Sequence, residues 1–163
     1  MKASDFASLL PDHCSEVLDA MYFTSILEAS IEPNEAASEV ECAQDRSLPH
    51  ADDYAYQLRY TGDVSGRFGL CLGASTARSL AANFLGEEES DISPSEVSEV
   101  VGELANMLCG AVMSVVPSKH KFVLSHPEPT LALPHGCAQD VVLARLKTDS
   151  GDILTWVIVE GNA

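Results

Sequence analysis

Positive charge is scarce in this sequence. Nine Lys and Arg stand against 25 Asp and Glu in 163 residues, a formal net charge of −16. A field of that sign repels nucleic-acid phosphates and anionic lipid surfaces, so no nucleic acid and no membrane is expected as a partner. No apolar run approaches the roughly 20 residues that a membrane-spanning helix needs. The opening stretch, MKASDFASLLPDHC, has one Lys, two Asp and no long apolar segment. It is not expected to act as a secretory signal, and a cytoplasmic location is the expectation. The five cysteines (Cys14, Cys42, Cys71, Cys109 and Cys137) contain no CxxC, which argues against a disulfide framework or a structural zinc site. Cys14, Cys71 and Cys109 fall inside apolar-periodic segments and read as small buried hydrophobes. The five His are scattered, so no metal site is expected. Nor is there a GxGxxG, a P-loop, an HExxH or a GxSxG, and nothing supports nucleotide or cofactor binding.

What is present is a chain able to build a core. Hydrophobic residues make up 46% and charged residues 21%, the balance of a globular domain, and residues 1–163 read as one domain. Val17, Leu18, Met21, Tyr22, Ile26 and Leu27 recur at helical spacing after Pro11-Asp12, predicting a helix over about 12–29. Residues 30–52 are acidic and weakly periodic and read as a loop. Tyr54–Tyr60 and Arg67–Leu72 alternate as strands around the turn chemistry of 61–66. Ala74–Leu85 reads as a helix, with Ser75 or Thr76 as its cap and Gly86 as its stop. Ser93-Pro94-Ser95-Glu96 is a helix start, and that helix is expected to run to about Val116, before Pro117. Strands are expected at Phe122–Leu124, Thr130–Leu133, Asp140–Lys147 and Ile153–Glu160, the last two forming a hairpin. The order predicts an α+β fold: a mainly antiparallel sheet of about six strands packed against two long helices.

The helix from Pro94 carries the most information. Val97, Val101, Leu104, Leu108, Ala111, Val112 and Val115 fall on one stripe, the expected core face. Opposite lie Glu96, Glu99, Glu103, Asn106, Gly110 and Ser114. The bland reading is a solvated face. Two features strain it: Asn106 is a poor mid-helix residue, and Gly102 and Gly110 each cost about 0.8–1 kcal/mol relative to Ala. Local violations of propensity mark functional sites or close packing. Glu103 and Asn106, three residues apart, project side by side, and the small residue at 110 leaves room for another molecule to approach. Trp156–Val159 reads as core or a dimer edge, the Tyr54/Tyr56/Tyr60 stripe as core or interface, and Arg145 with Lys147 as solvent-facing.

The run Glu99-Val-Val-Gly-Glu103-Leu-Ala-Asn106-Met-Leu-Cys-Gly110, followed by Leu124-Ser-His-Pro127-Glu-Pro129-Thr, resembles the CheC/CheX family of chemotaxis phosphatases. That family carries a Glu and, three residues on, an Asn in a long helix, with a Pro about twenty residues downstream. The first helix is similar as well: Glu16-Val-Leu-Asp19 looks like a degenerate copy of the same motif, which implies an internal pseudo-repeat. One intact motif is closer to CheX than to the two-motif CheC. Glu99 stands where the family often has Asp or Ser, and Pro127 and Pro129 straddle the expected proline. The resemblance implies a CheC-like fold, a CheY-like receiver domain as partner and hydrolysis of its phospho-aspartate. It further implies Asn106 positioning the attacking water, Glu103 pairing with the regulator's active-site Lys, Mg²⁺ supplied by the regulator, and a homodimer. Glu99 and Gly110 would touch the partner. The same resemblance also allows a non-catalytic dimeric interaction module in two-component signalling.

Overall fold

The structure, a computed structural model, describes residues 1–32, 53–130, 133–134 and 140–162. Two antiparallel hairpins form the middle of the sheet: β2 (Tyr54–Thr61) with β3 (Val64–Leu72), and β6 (Asp140–Thr148) with β7 (Gly151–Asn162). With β1 (Ile26–Glu32), β4 (Val123–Leu124) and β5 (Glu128–Pro129) they make one seven-stranded antiparallel sheet, ordered β1-β6-β7-β3-β2-β4, with β5 also on β2. This is the expected α+β architecture with seven strands in place of about six.

Sequence explains the centre of the sheet. From Ile153 to Val159 almost every residue of β7 is apolar, so both faces of the strand need cover. Ile153, Val157 and Val159 join the large core beneath the helices, while Trp156 and Ile158 lie in a second buried cluster on the opposite face. Trp156 presses on β3 where only glycine fits: a Cβ on Gly69 would come within 2.2 Å of the indole. Its Nε1 donates to Gln57 Oε1 at 3.2 Å. Trp156–Val159 is therefore core in a central strand and not a dimer edge. Tyr60 is fully buried and donates to the Ile158 carbonyl at 2.8 Å, and Tyr54 and Tyr56 pack half-buried on the same core. Arg145 and Lys147 are solvent-facing, as expected.

Among the described residues three α-helices cover one face: α1 (Leu9–Tyr22), α2 (Ala74–Leu85) and α3 (Pro94–Ser114). For α3, Ser93 Oγ accepts from the Glu96 N–H at 3.2 Å and Pro94 occupies the first turn, as the start signal implied. Its buried face is broader than expected, adding Val100, Ala105, Cys109 and Met113. Ala111 is only half-buried, and Val115, already past the last full turn, is 42% exposed. For α2 the range is as expected, but the cap is Gly73; Thr76 is buried inside the first turn. No helix of the described residues is long and apolar enough to cross a membrane.

The start and the end of the first helix both differ from expectation. It begins at Leu9, because Pro11 falls in the first turn, where its missing N–H is not needed. It stops at Tyr22 and not near 29: Phe23 turns left-handed (φ 50°) and the Thr24 N–H bonds back to the Leu18 carbonyl at 3.0 Å. Ile26 and Leu27 continue the helical spacing by coincidence; they open β1, which pairs with β6. Ser30–Glu32 likewise belong to β1, and the rest of the acidic 30–52 segment lies outside the described residues. Among the short strands, the expected Thr130–Leu133 shifts to Glu128–Pro129, a pairing that an edge position tolerates because Pro129 has no N–H to donate. Thr130 still donates to the Ala55 carbonyl at 3.0 Å, and residues 131–132 lie outside the described residues.

Candidate functional site

The outer stripe of α3 is open. Glu99 and Glu103 are exposed, and Asn106 and Gly110 half-buried, along one line of the helix. Positions 103, 106 and 110 are successive neighbours on that line, so a carboxylate, a carboxamide and a gap follow one another within two turns. Asn106 has no hydrogen-bond partner for its carboxamide among the described residues, and Glu103 no ion pair. Both are presented to whatever approaches.

The two glycines behave differently from their neighbours in sequence. A Cβ on Gly110 would meet nothing closer than the Leu124 side chain at 3.9 Å, and one on Gly102 would meet the Tyr56 ring at an ordinary 3.6 Å. Neither is forced by close packing inside the chain. At Gly102 the space is filled by Tyr56, whose hydroxyl hydrogen-bonds to Ser98. At Gly110 it opens into a cleft of about 430 Å³, walled by Met113, Phe122 and Leu124 and rimmed by Ser118, Lys119, His120 and Lys121.

Beneath Glu103 the support comes from α1. The Tyr22 hydroxyl donates to Met107 Sδ at 3.5 Å, and its ring stacks on Phe84 of α2 with centroids 4.9 Å apart. Burial first, and then the nearby Glu103 charge, push the Tyr22 phenol well above its usual range, so it remains a neutral donor. Tyr22 was legible only as a helix-periodic residue and Met107 only as part of the run after Asn106; their role under the stripe needs the tertiary pairing of α1 with α3.

The second motif stands apart. Glu16 and Asp19 are exposed on α1, and no described contact joins them to the α3 stripe. Glu16 Oε2 lies 3.3 Å from His13 Nδ1. Of the downstream prolines, Pro127 is half-buried and Pro129 pairs with Tyr56 across β5 and β2.

The thiols are unsuited to attack. Cys14 is pushed up to about 12 and Cys71 to about 11, mainly by burial, and Cys109 rises for the same reason with Cys14 adding to it. Cys42 and Cys137 lie outside the described residues. Among the described residues no three His, Cys, Asp or Glu side chains converge as metal ligands.

No curated protein matches the sequence. Solved structures do match the fold. CheX from Desulfovibrio desulfuricans superposes with a TM-score of 0.71 at 16% identity, over 96% of this chain and 99% of that one. CheX from Vibrio vulnificus gives 0.69 at 19% identity, again over 96% and 99%. CheX from Borrelia burgdorferi, in its complex with CheY, BeF₃ and Mg²⁺, gives 0.66 at 16% identity over the same shares. Residues 54–140, more than half of the chain and including all of α3, match the family model for chemotaxis phosphatase CheX, and the chain belongs to that family.

Proposed function

We propose that this protein hydrolyses the phospho-aspartate of a CheY-like receiver domain, with Asn106 and Glu103 carrying the reaction. The observation that supports this most is the unpartnered Asn106 carboxamide beside Glu103 on an open helix stripe, within the span that matches the family. The Borrelia relative's complex with CheY supports the choice of partner.

Hydrolysis of an acyl phosphate needs a water held in line with the bond to the leaving carboxylate, and little covalent help. A neutral carboxamide can hold such a water. Asn106 accepts from it through its oxygen and donates through its nitrogen, without adding negative charge beside a phosphoryl dianion. Glu103 would repel that dianion and is better matched to a cation on the partner, its active-site lysine. Mg²⁺ fits poorly on this chain. Glu99 and Glu103 are two carboxylates on an exposed helix surface, and no third described ligand joins them. In this reading the ion belongs to the regulator.

The test separates rate from affinity. Asn106→Ala is expected to lose the stimulated phosphate release while keeping affinity for a receiver domain loaded with beryllofluoride and Mg²⁺. Glu103→Ala is expected to weaken both. Normal acceleration by Asn106→Ala would overturn the assignment; tight binding with no acceleration by the wild type would favour the interaction module.

We also propose a cytoplasmic homodimer joined along β1. Among the described residues this strand ends the sheet, and Leu27 (71%) and Ile31 (38%) are exposed on it. An open edge with apolar side chains is a template for a second copy. Light scattering on the wild type and on Ile31→Lys decides it: a dimer that becomes monomeric is expected, and a wild-type monomer would refute it.

A further inference from the structure

The stripe that carries Glu103 and Asn106 does not end at Gly110. It runs on to Ser114, and both Gly110 and Ser114 border the cleft at the C-terminal end of α3. Eight residues of helix separate Asn106 from Ser114, about 12 Å. A stable protein partner covers roughly 800 Å² on each side, a patch of about 16 Å radius. A partner centred on Asn106 therefore lies over this cleft as well.

The cleft is chemically unlike the rest of the molecule. Its walls are apolar (Met113, Phe122, Leu124), and Val115 and Val123 nearby are 42% and 69% exposed. Its rim carries Lys119 and Lys121, two of only nine basic residues in a chain of net charge −16. Several of the described arginines are engaged. Arg59 and Arg67 both hold Glu160, at 2.6 and 2.7 Å, and Arg78 donates to the Glu89 and Ile92 carbonyls. Lys119 and Lys121 have no described ion pair. Among the described residues, the Asp63 carboxylate contacts this rim. It accepts from the Lys119 backbone N–H at 2.5 Å and lies 2.8 Å from His120 Nδ1, so it fixes the turn and leaves both ammonium groups outward. Cations here sit beyond the last turn of α3, so the helix dipole alone does not account for them.

A phosphorylated receiver domain has the complementary chemistry. It carries a phosphoryl dianion and, to hold Mg²⁺, a group of oxygen ligands that includes carboxylates. Such a partner brings negative charge to a protein of net charge −16, so cations beside the stripe offset part of the repulsion as it docks.

We infer that the cleft between α3 and the 118–124 segment is a second docking point for the receiver domain, taking an apolar side chain flanked by carboxylates that pair with Lys119 and Lys121. This rests on the phosphatase reading and adds how the partner is oriented on it: the apolar anchor fixes direction along α3, and the two lysines supply attraction beside the Glu103–Asn106 stripe.

The test is the double variant Lys119→Glu/Lys121→Glu, with Arg145→Glu/Lys147→Glu as its control. The control makes the same charge change on the face of the sheet opposite the helices. Affinity for a receiver domain loaded with beryllofluoride and Mg²⁺ is measured at low and high salt, with phosphate release at saturating protein. The first variant is expected to weaken affinity about tenfold at low salt, flatten its salt dependence and leave the saturated rate unchanged. The control is expected to stay within about twofold of the wild type. Equal loss in both variants would reduce the effect to net charge and overturn the docking point, as would unchanged affinity in the first. A variant whose oligomeric state shifts while receiver affinity holds would assign the cleft to a second copy of this chain and equally overturn it. Failure of the wild type to accelerate phosphate release is a separate outcome, one that removes the phosphatase reading itself.

Discussion

Two helices in this protein share a spacing and differ in the residues that fill it. In α3 the pattern is Glu103, Asn106 and, four residues on, Gly110; in α1 it is Glu16, Asp19 and, four residues on, Phe23. Their inner faces remain alike, each burying one cysteine: Cys109 is pushed up partly by the charge of Cys14, which places the two thiols near one another between the helices. The outer faces differ at every working position. Glu16 is held beside His13, where Glu103 is free of ion pairs among the described residues. Asp19 is a carboxylate where α3 has an amide. Phe23 is a bulky left-handed residue that stops the helix, where α3 has a gap and continues to Ser114 beside the cleft. A phosphoryl dianion would meet charge and a phenyl ring on α1, and a neutral amide with open space on α3. On the proposed reading, such a helix surface depends on what it omits as much as on what it carries.

The largest expected effect comes from erasing that difference on α3. Misplacing the attacking water by an ångström costs about 10²-fold in rate. Asn106→Ala should therefore fall by about that factor in stimulated phosphate release, followed by stopped assay or fluorescent phosphate sensing. Glu103→Ala should act mainly on affinity, raising the half-saturating receiver concentration about tenfold, the size of a lost charge-assisted contact. Asp19→Asn places an amide on α1 but leaves Phe23 in place, and no gain of activity in an Asn106→Ala background is expected; a gain would show that the α1 surface is open after all.

Phe23 provides a smaller and opposite test. A non-glycine residue in the left-handed region costs about 1–2 kcal/mol, and this ring, 74% exposed, recovers little of it by burial. Phe23→Gly should stabilise the fold by about 1 kcal/mol, seen as a rise of about 2–4 °C in Tm. A lower Tm would mean that the ring contributes packing its exposure does not suggest.

A last test lies at alkaline pH, on the buried thiols: Cys14 and Cys109 on the shared inner face and Cys71 on β3. Unfolded thiols ionise near 9, while folded Cys71 and Cys14 stay protonated up to about 11 and about 12, and Cys109 shifts in the same direction. The folded state then holds more protons than the unfolded one between those values. Their contribution to stability is fully present below pH 9 and is lost as pH rises toward 12. Urea midpoints should fall over that window, and fall less in a Cys14→Ala/Cys109→Ala variant relative to its own neutral-pH value.

Much of α3 was legible because its signals are local. Ser93-Pro94-Ser95-Glu96 announces the start, the apolar stripe gives the buried face, and a mid-helix Asn beside Glu marks the outer one. The range of α2 and the β6–β7 hairpin were legible for the same reason. The end of α1 was not, because its stop is made without glycine: Phe23 adopts the left-handed cap and Ile26 continues the helical rhythm into a strand. The cleft could not be read either. Lys119 and Lys121 are ordinary loop residues in sequence, and only the turn held by Asp63 and the packing of Phe122 and Leu124 against the end of α3 bring them to the Asn106 stripe.

The most direct measurement is phosphate release from a phosphorylated receiver domain, with Mg²⁺, in the presence of Asn106→Asp. This substitution copies the residue of α1 onto α3 with almost no change in shape. The expected result is decay no faster than that of the receiver domain alone, with the helical circular dichroism of the wild type retained. Acceleration equal to that of the wild type would contradict the claim that a neutral amide at this position is what makes the α3 surface a phosphatase.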